Sequence, residues 1–162
     1  MRIKGMLGTM SIVFAVSTLA CGGEAQQQAV PAARITLAEA GRAVDAAEAE
    51  AQRNNWKLTF VIADAEGTPI YVRRMDGATK QSYEIAMNKV STSLKSGMHT
   101  VDYAAAVRAN RIPAIEGAFM YEGGLLMKRD GGVIGAFSAS GARGAEDAQA
   151  VKAGMAAIGI QP

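Results

Sequence analysis

The glycine-rich stretch "RDGGVIGAFSASGARGAED", residues 129–147, decides the fold class of this chain. Glycine-rich loops that bind dinucleotides lie between a parallel strand and the helix that crosses back over the sheet. Here Asp130 and Gly131 lie between two β-rich runs, which favours a hairpin turn. Gly135 lies inside the second run, where a glycine is typical of close approach by another backbone or a bulky ligand. The pattern therefore excludes a doubly wound nucleotide-binding fold.

The second glycine cluster, "SGARGAED" at residues 140–147, runs from a strand into the start of a helix. Free backbone amides at such a helix start can bind an anion, for example a carboxylate. Alternatively, this is a plain loop in which Glu146 and Asp147 interact favourably with the helix dipole. We favour the plain loop.

The hairpin pattern also occurs earlier in the chain. The β-rich runs "KLTFVIAD" (57–64) and "PIYVRRMD" (69–76) are separated by the turn "AEGT", which contains Gly67. This spacing predicts two adjacent antiparallel strands. Three further runs are predicted as strands: "AIEGAFMY" (114–121), "GLLMK" (124–128) and "GVIGAFSAS" (132–140). The sequence thus predicts five strands.

Helical periodicity fills the remaining segments. Thr36 followed by Glu39 forms a capping box, which supplies two of the unpaired amides at a helix start. Four helices are predicted, at residues 34–55, 79–97, 100–110 and 144–160. Thr100 is the predicted cap of the third helix. In the second helix, the apolar stripe predicted to face the core comprises Tyr83, Met87, Val90 and Leu94. Neighbouring hairpins with helices before, between and after them predict an α+β fold with an antiparallel sheet.

The first residues predict export from the cell. Arg2 and Lys4 precede the apolar run "MLGTMSIVFAVSTLA" (6–20), which ends in small residues. This pattern is typical of a signal peptide over residues 1–20, followed by a flexible linker at 21–33 and a domain at 34–162. "TLAC" resembles a lipoprotein box that would place a lipid anchor on Cys21, whereas ordinary cleavage after Ala20 or Ala25 is the alternative. We expect the domain in the periplasm or lipid-anchored in the bacterial cell envelope.

Charge and cysteine content restrict the function further. The chain has 17 Lys and Arg and 15 Asp and Glu. Since Arg2 and Lys4 lie in the predicted signal and all acidic residues follow Cys21, the exported part carries equal numbers of both. No basic block or aromatic ladder occurs, so nucleic acid is not an expected partner. Cys21 is the single cysteine, which excludes a disulfide and thiol chemistry in the domain.

Four segments together resemble the GlcG/HbpS-like haem-binding family, also described as a haem-degrading domain. They are "ITLAEAGRAVDAAEAEA" (35–51), "VIADAEGTPIYVRRMDGA" (61–78), "IAMNKVSTS" (85–93) and "RDGGVIGAFSASG" (129–141). The resemblance implies a profilin-like fold, in which helices flank a five-stranded antiparallel sheet, assembled into homo-oligomers. It also implies haem or another tetrapyrrole as ligand. Two positions depart from the family: Ser138 and Ala139 replace a usual Gly-Val, and His99 stands where Pro is frequent.

His99 is the single histidine and the one strong candidate for an iron ligand through a neutral imidazole. It lies between two predicted helices, where it could bind haem iron, including in a site shared between subunits. Alternatively, it is a solvated loop residue or a capping group. Thr100 matches a family Thr in the same loop and is a weaker candidate ligand, or the N-cap of the helix.

Four further residues are candidates for contacts with haem. Arg73 or Arg74 could pair with propionates as a forked donor. Because alternate residues of a strand face opposite sides, at most one of the two faces a given pocket. Met75 could pack on a porphyrin or ligate iron, with a place in the core as the alternative. Lys89 matches a family Lys and is either a buried or anion-pairing charge or part of a solvated face.

Three functions remain open from the sequence. The first is an exported haem-binding or tetrapyrrole-binding protein. The second is an enzyme of a catabolic pathway that acts on a small molecule and uses carboxylates or Lys89 as acid and base. The third is a non-catalytic oligomeric accessory of a sensor or transporter. With one histidine and no retained thiol, Ser–His–Asp and Cys–His sites have few available members.

Overall fold

A computed structural model describes residues 34–161, so the predicted signal peptide and linker lie outside the described residues. The described chain forms four helices and four strands. They are α1 (Leu37–Arg53), β1 (Thr59–Asp64), β2 (Pro69–Arg74), α2 (Lys80–Ser96), α3 (Thr100–Arg108), β3 (Gly124–Arg129), β4 (Gly132–Ser140) and α4 (Gly144–Ala157). In this part of the chain, no helix is both long enough and apolar enough to span a bilayer.

The strands form one antiparallel sheet in the order β2-β1-β4-β3. Both predicted hairpins are confirmed, one joining β1 to β2 and the other joining β3 to β4. The second turn is made by Asp130 and Gly131, with φ angles of 51° and 80°. At Gly135 a Cβ would overlap the carbonyl oxygen of Ala63 on β1. That glycine therefore allows close approach of a neighbouring strand, the first of the two predicted reasons.

Each face of the sheet has its own helical cover. Phe60 and Ile62 of β1 belong to the larger core, which α1 and α4 cover. Val61 and Ala63 point to the opposite face and pack under α2 in a smaller apolar cluster. This alternation follows from the two-residue period of a strand. α1 and α4 approach each other closely because α4 carries Gly154, where a Cβ would overlap the backbone of Ala43.

The α+β class is confirmed, but the prediction of a fifth strand at residues 114–121 is wrong. Residues 114–121, predicted as a strand, form an irregular segment between α3 and β3. Two of its amides donate to helical side chains: Ile115 to the Tyr103 hydroxyl at 2.6 Å and Phe119 to Thr92 Oγ1 at 2.8 Å. Because these amides bind side chains, they do not extend the sheet.

Two helical details also differ from the predictions. α3 has His99 as its N-cap, and Thr100 is its first helical residue. On α2, Tyr83 of the predicted inner stripe is exposed, and Met87 and Leu94 are only partly buried. The side chains that α2 buries are largely polar or small: Ser82, Ala86, Lys89, Val90, Thr92 and Ser93. The capping box at the start of α1 is confirmed, with Thr36 and Glu39 bonded in both directions.

Candidate functional site

A cleft of about 250 Å³ opens where α3 begins, beside the start of β3 and the first half of α4. We call it the His99 cleft. Its apolar wall includes Val101, Leu125 and Ala148, and its charged groups are Asp102, Glu122 and Lys152. His99, Thr100, Gly123 and Gly124 complete the lining. The chain's single histidine therefore lines a mixed apolar and charged recess.

His99 and Thr100 satisfy backbone groups on the outer edge of the sheet. β3 is an edge strand, so its outward amides and carbonyls have no strand partner. The Leu126 amide donates to His99 Nδ1 at 3.0 Å. Thr100 Oγ1 accepts from the Gly124 amide at 3.1 Å and donates to the Gly124 carbonyl at 3.3 Å. Both candidate ligands thus have a structural role, and the buried Thr100 hydroxyl uses its proton in it.

The protonation of His99 determines what it can offer a ligand. Burial lowers the pKa of His99 below its usual 6.5, and Lys128 and Lys152 act in the same direction against the opposing effect of Asp102. In the neutral ring, Nδ1 accepts from Leu126, so the proton lies on Nε2. An iron ligand needs a lone pair on the coordinating nitrogen. Ligation through Nε2 therefore requires that the proton move to Nδ1 and that the Leu126 bond be lost.

Lys89 lies in a second cleft, of about 210 Å³, which we call the Lys89 cleft. Its side chain is 2% exposed, and Nζ donates to Asp147 Oδ2 at 2.7 Å and to the Ala139 carbonyl at 2.9 Å. Burial lowers the pKa of Lys89 against the attraction of Asp147. Burial also raises the pKa of Asp147 to about 6, although Lys89 opposes this. Lys89 is therefore a buried charge with an anionic partner, one of the two alternatives predicted for it.

The α4 start contains two carboxylates that bind the local amides. The Ala142 amide donates to Asp147 Oδ1 at 3.1 Å, and the Arg143 amide donates to Glu146 Oε2 at 3.0 Å. The chain's own carboxylates thus accept from the two amides that directly precede the helix. This agrees with the plain loop favoured for residues 140–147.

Gly123 separates the two clefts. A Cβ at this position would lie 2.6 Å from Lys89 Nζ and 2.7 Å from Asp147 Cβ, and its φ is 112°. The backbone therefore lies directly on the buried ion pair. Since Gly123 lines the His99 cleft and Asp147 lines the Lys89 cleft, the two recesses share one thin wall.

The remaining predicted residues lie elsewhere. Arg74 is exposed at the end of β2, the strand at the opposite edge of the sheet from β3. Met75 follows it and is buried in the larger core, where its sulfur accepts from the Leu58 amide at 3.4 Å. Arg73 pairs with Asp45 and Glu48 of α1 at 2.7 Å each. The structure therefore brings His99 and Thr100 together and places Lys89 in the neighbouring cleft. Arg74 and Met75 lie across the sheet from them, at the edge formed by β2.

Comparison with known proteins identifies the family. A model described as "Haem degrading protein HbpS-like" matches residues 35–156, which is nearly all of the described domain. The chain belongs to the HbpS-like family. An uncharacterized 15.0 kDa protein in the dhaT–dhaS intergenic region of Citrobacter freundii is 33% identical over 115 residues, covering 67% of this chain and 81% of that protein. The protein GlcG of Escherichia coli K12 is 32% identical over 99 residues, covering 60% and 74%.

Solved structures of similar fold support the same assignment. HbpS is 28% identical with a TM-score of 0.71, over 82% of this chain and 95% of that chain. A double mutant of Streptomyces reticuli HbpS gives the same identity and TM-score over 91% and 99%. PduOC, solved as a haem complex, has a TM-score of 0.72 over 78% and 96% at 24% identity, which supports the fold alone.

Sequence reasoning missed several residues of the two candidate clefts. Asp147 was interpreted only through the helix dipole, and Phe119 was placed on a strand. Tyr121 and Lys152 were not considered. A buried lysine requires an anionic partner, so Lys89 could have prompted a search for one. The sequence offered no signal to select Asp147, because it lies 58 residues away.

Proposed function

We propose that this HbpS-like protein binds haem or a closely related tetrapyrrole in the His99 cleft. The observation that supports this most directly is the position of the chain's single histidine in a recess with apolar walls and a lysine. The family's description as haem-degrading and the fold shared with PduOC, solved with haem, add support. The proposal is binding, and it does not extend to degradation.

The lining fits one edge of a haem. Val101, Leu125 and Ala148 offer apolar contact to a porphyrin, and Lys152 offers a cation to a propionate. The volume of about 250 Å³ is below the roughly 300–1,000 Å³ of a complete small-molecule site. One chain therefore covers only part of the ring. Val101 at the cleft is 44% exposed. We propose that a second copy of the chain covers the rest.

His99 is the proposed axial ligand. When bound, haem supplies an iron centre that accepts an imidazole nitrogen. Because Nδ1 now accepts from Leu126, iron binding through Nε2 should free the Leu126 amide from this bond. Thr100 is the weaker candidate, since its hydroxyl already donates to the Gly124 carbonyl. Acid–base catalysis by Lys89 is not proposed, because its ammonium is held in an ion pair with Asp147 at 2.7 Å.

Hemin titration with two His99 variants tests the proposal. Wild-type protein should shift the Soret band of hemin saturably. His99→Ala removes both the ligand and the acceptor for Leu126. His99→Asn is the matched control, because its amide oxygen can accept from Leu126 while providing no strong iron ligand. We expect both variants to lose the wild-type spectrum.

The two variants distinguish the outcomes. If His99→Asn keeps the wild-type spectrum, His99 is not the ligand. If wild-type protein leaves the hemin spectrum unchanged, haem binding itself is refuted.

We further propose export, on the evidence of the N-terminal sequence. An intact mass measured on protein from the cell envelope would report the mature end. A mass starting at Cys21 plus lipid supports a lipoprotein, and a mass starting at unmodified Cys21 or at Gln26 supports ordinary cleavage after Ala20 or Ala25. Recovery of the full-length chain from the cytoplasm alone would refute export.

A further inference from the structure

The Lys89 cleft is a second recess that the haem proposal does not use. It lies between α2, the segment before β3, and the start of α4, and it is lined by Ile85, Phe119, Tyr121, Ser140, Ala142 and Gly144 besides the ion pair. Its volume of about 210 Å³ corresponds to roughly seven waters at about 30 Å³ each. A small organic molecule fits this volume within one copy of the chain, whereas a whole porphyrin fits neither this cleft nor the His99 cleft.

Lys89 has one N–H more than its partners use. An ammonium carries three donors. Asp147 Oδ2 and the Ala139 carbonyl accept two of them. Among residues 34–161, no oxygen accepts the third N–H of Lys89. Nζ lies 5.9 Å from the centroid of the Phe119 ring, which also lines the cleft. A buried donor without an acceptor is costly, so an acceptor from a ligand would be favoured here.

Two aromatic rings form an apolar wall next to this donor. Phe119 and Tyr121 lie 5.3 Å apart between centroids and are tilted by 48°. Tyr121 is 64% exposed, although a large aromatic side chain normally buries most of its surface. A flat apolar group placed against this pair would remove that surface from water.

The charges around the cleft favour a neutral ligand. Asp147 already balances the charge of Lys89 at 2.7 Å. Glu122 acts on Lys89 and Glu146 acts on Asp147, so two further carboxylates lie within electrostatic range of the pair. The exposed Arg143 lies 4.0 Å from Glu146 and offsets only one of these two charges. An anion would be repelled by these groups, whereas a neutral carbonyl oxygen needs no counter-charge.

We propose that the Lys89 cleft binds a small neutral molecule with a flat apolar body and a carbonyl oxygen, such as an aromatic amide, ketone or aldehyde. The carbonyl oxygen accepts the third N–H of Lys89, and the flat body lies against Phe119 and Tyr121. The site is independent of the haem proposal, because His99 does not line it.

Benzamide is a suitable probe, titrated into ¹⁵N-labelled protein and followed by amide chemical shifts. At the per-atom affinities of small ligands, a dissociation constant of about 1 mM is expected. Shifts should be saturable and confined to the residues around the Lys89 cleft, at 85–89, 119–121 and 139–147. Benzoate, with the same shape and a negative charge, should bind at least about tenfold more weakly. Equal binding of benzoate, or no saturable shift, would overturn the proposal.

Variants identify the contacts. Tyr121→Ala removes an exposed ring and should weaken benzamide binding about fivefold, as expected for loss of one aromatic contact. Tyr83→Ala is the matched control, because Tyr83 is 41% exposed on α2 and does not line the cleft. Equal affinities of the two variants would contradict the proposal.

The ammonium is tested by the double variant Lys89→Met with Asp147→Asn, which removes the donor without leaving a buried charge. If it folds, it should lose benzamide binding, and retained binding would refute the role of Lys89. His99→Asn should leave benzamide binding unchanged. This last measurement keeps failure of the haem proposal distinct from failure at the Lys89 cleft.

Discussion

The two faces of the sheet are built from different chemistry. The face under α1 and α4 is apolar, with Phe60 and Phe137 in tilted contact at 6.3 Å and small residues along both helices. The interface of α2 with the sheet includes six buried apolar residues and a series of buried polar groups. Thr59 bonds Ser82 at 2.6 Å, and Ser138 donates to the Ala86 carbonyl at 2.7 Å. The comparison indicates that one face supplies most of the stability and the other positions polar groups near the clefts.

The largest expected effect lies on the apolar face. Phe137→Ala should lower the free energy of unfolding by about 3–5 kcal/mol, because it removes a fully buried ring and leaves a cavity. Urea denaturation of the isolated domain would measure this loss. Val61→Ala, at an equally buried site on the α2 face, is a smaller deletion and should cost about 1–3 kcal/mol. Val151→Ala on the apolar face deletes the same group as Val61→Ala from an equally buried site. Equal losses for these two valine variants would contradict the contrast between the faces.

The second prediction concerns the buried ion pair. Lys89→Met should destabilise by about 3–4 kcal/mol, because Asp147 would be left buried without its partner. Adding Asp147→Asn to the same chain should recover a large part of that loss, since no unpaired charge remains. Urea midpoints of the single and double variants would measure the coupling. Purely additive losses would show that Lys89 contributes through packing alone.

Local signals made much of the fold predictable. The capping box of Thr36 and Glu39 and the turn at Asp130–Gly131 act within a few residues, so the sequence contains all of their determinants. Residues 114–121 were misread because their apolar composition resembles a strand. Their amides instead bind Thr92 and Tyr103, and no local pattern encodes those long-range bonds.

The candidate site was less predictable for the same reason. His99 and Thr100 were found because few other residues can ligate iron, but their bonds to Leu126 and Gly124 depend on β3 being an edge strand. The Lys89–Asp147 pair joins α2 to α4 across 58 residues. On α2, the apolar stripe predicted that Tyr83 would be buried. Ser82 and Lys89 are buried instead, because they form hydrogen bonds with Thr59 on the sheet and Asp147 on α4.

The third prediction concerns the β3 edge. Thr100→Val keeps the shape of the side chain but removes the hydroxyl that bonds both backbone groups of Gly124. A loss of about 1–3 kcal/mol in unfolding free energy is expected, because buried backbone groups would be left without partners. Thr79→Val, at the exposed N-cap of α2, is a control that should cost about 1 kcal/mol. A smaller loss for Thr100→Val than for Thr79→Val would contradict the prediction.

The smallest expected effect is the pH dependence at His99. Burial lowers the folded pKa of His99 below the unfolded value of about 6.5. Its contribution to stability is therefore complete above pH 6.5 and is lost as the pH falls below 6.5 towards the folded pKa. Protonation also removes the Nδ1 lone pair that accepts from Leu126. Asp147 acts in the opposite direction, because its raised pKa of about 6 favours folding as the pH falls from about 6 to 3.8.

The two effects are separable by variants. The difference in unfolding free energy between wild type and His99→Asn, measured from pH 8 to pH 5, cancels the Asp147 contribution. This difference should be constant above pH 7. Below about pH 6.5 the wild type should lose unfolding free energy relative to His99→Asn. A difference that does not change with pH would show that His99 has an ordinary pKa and that its bond to Leu126 is not maintained in solution.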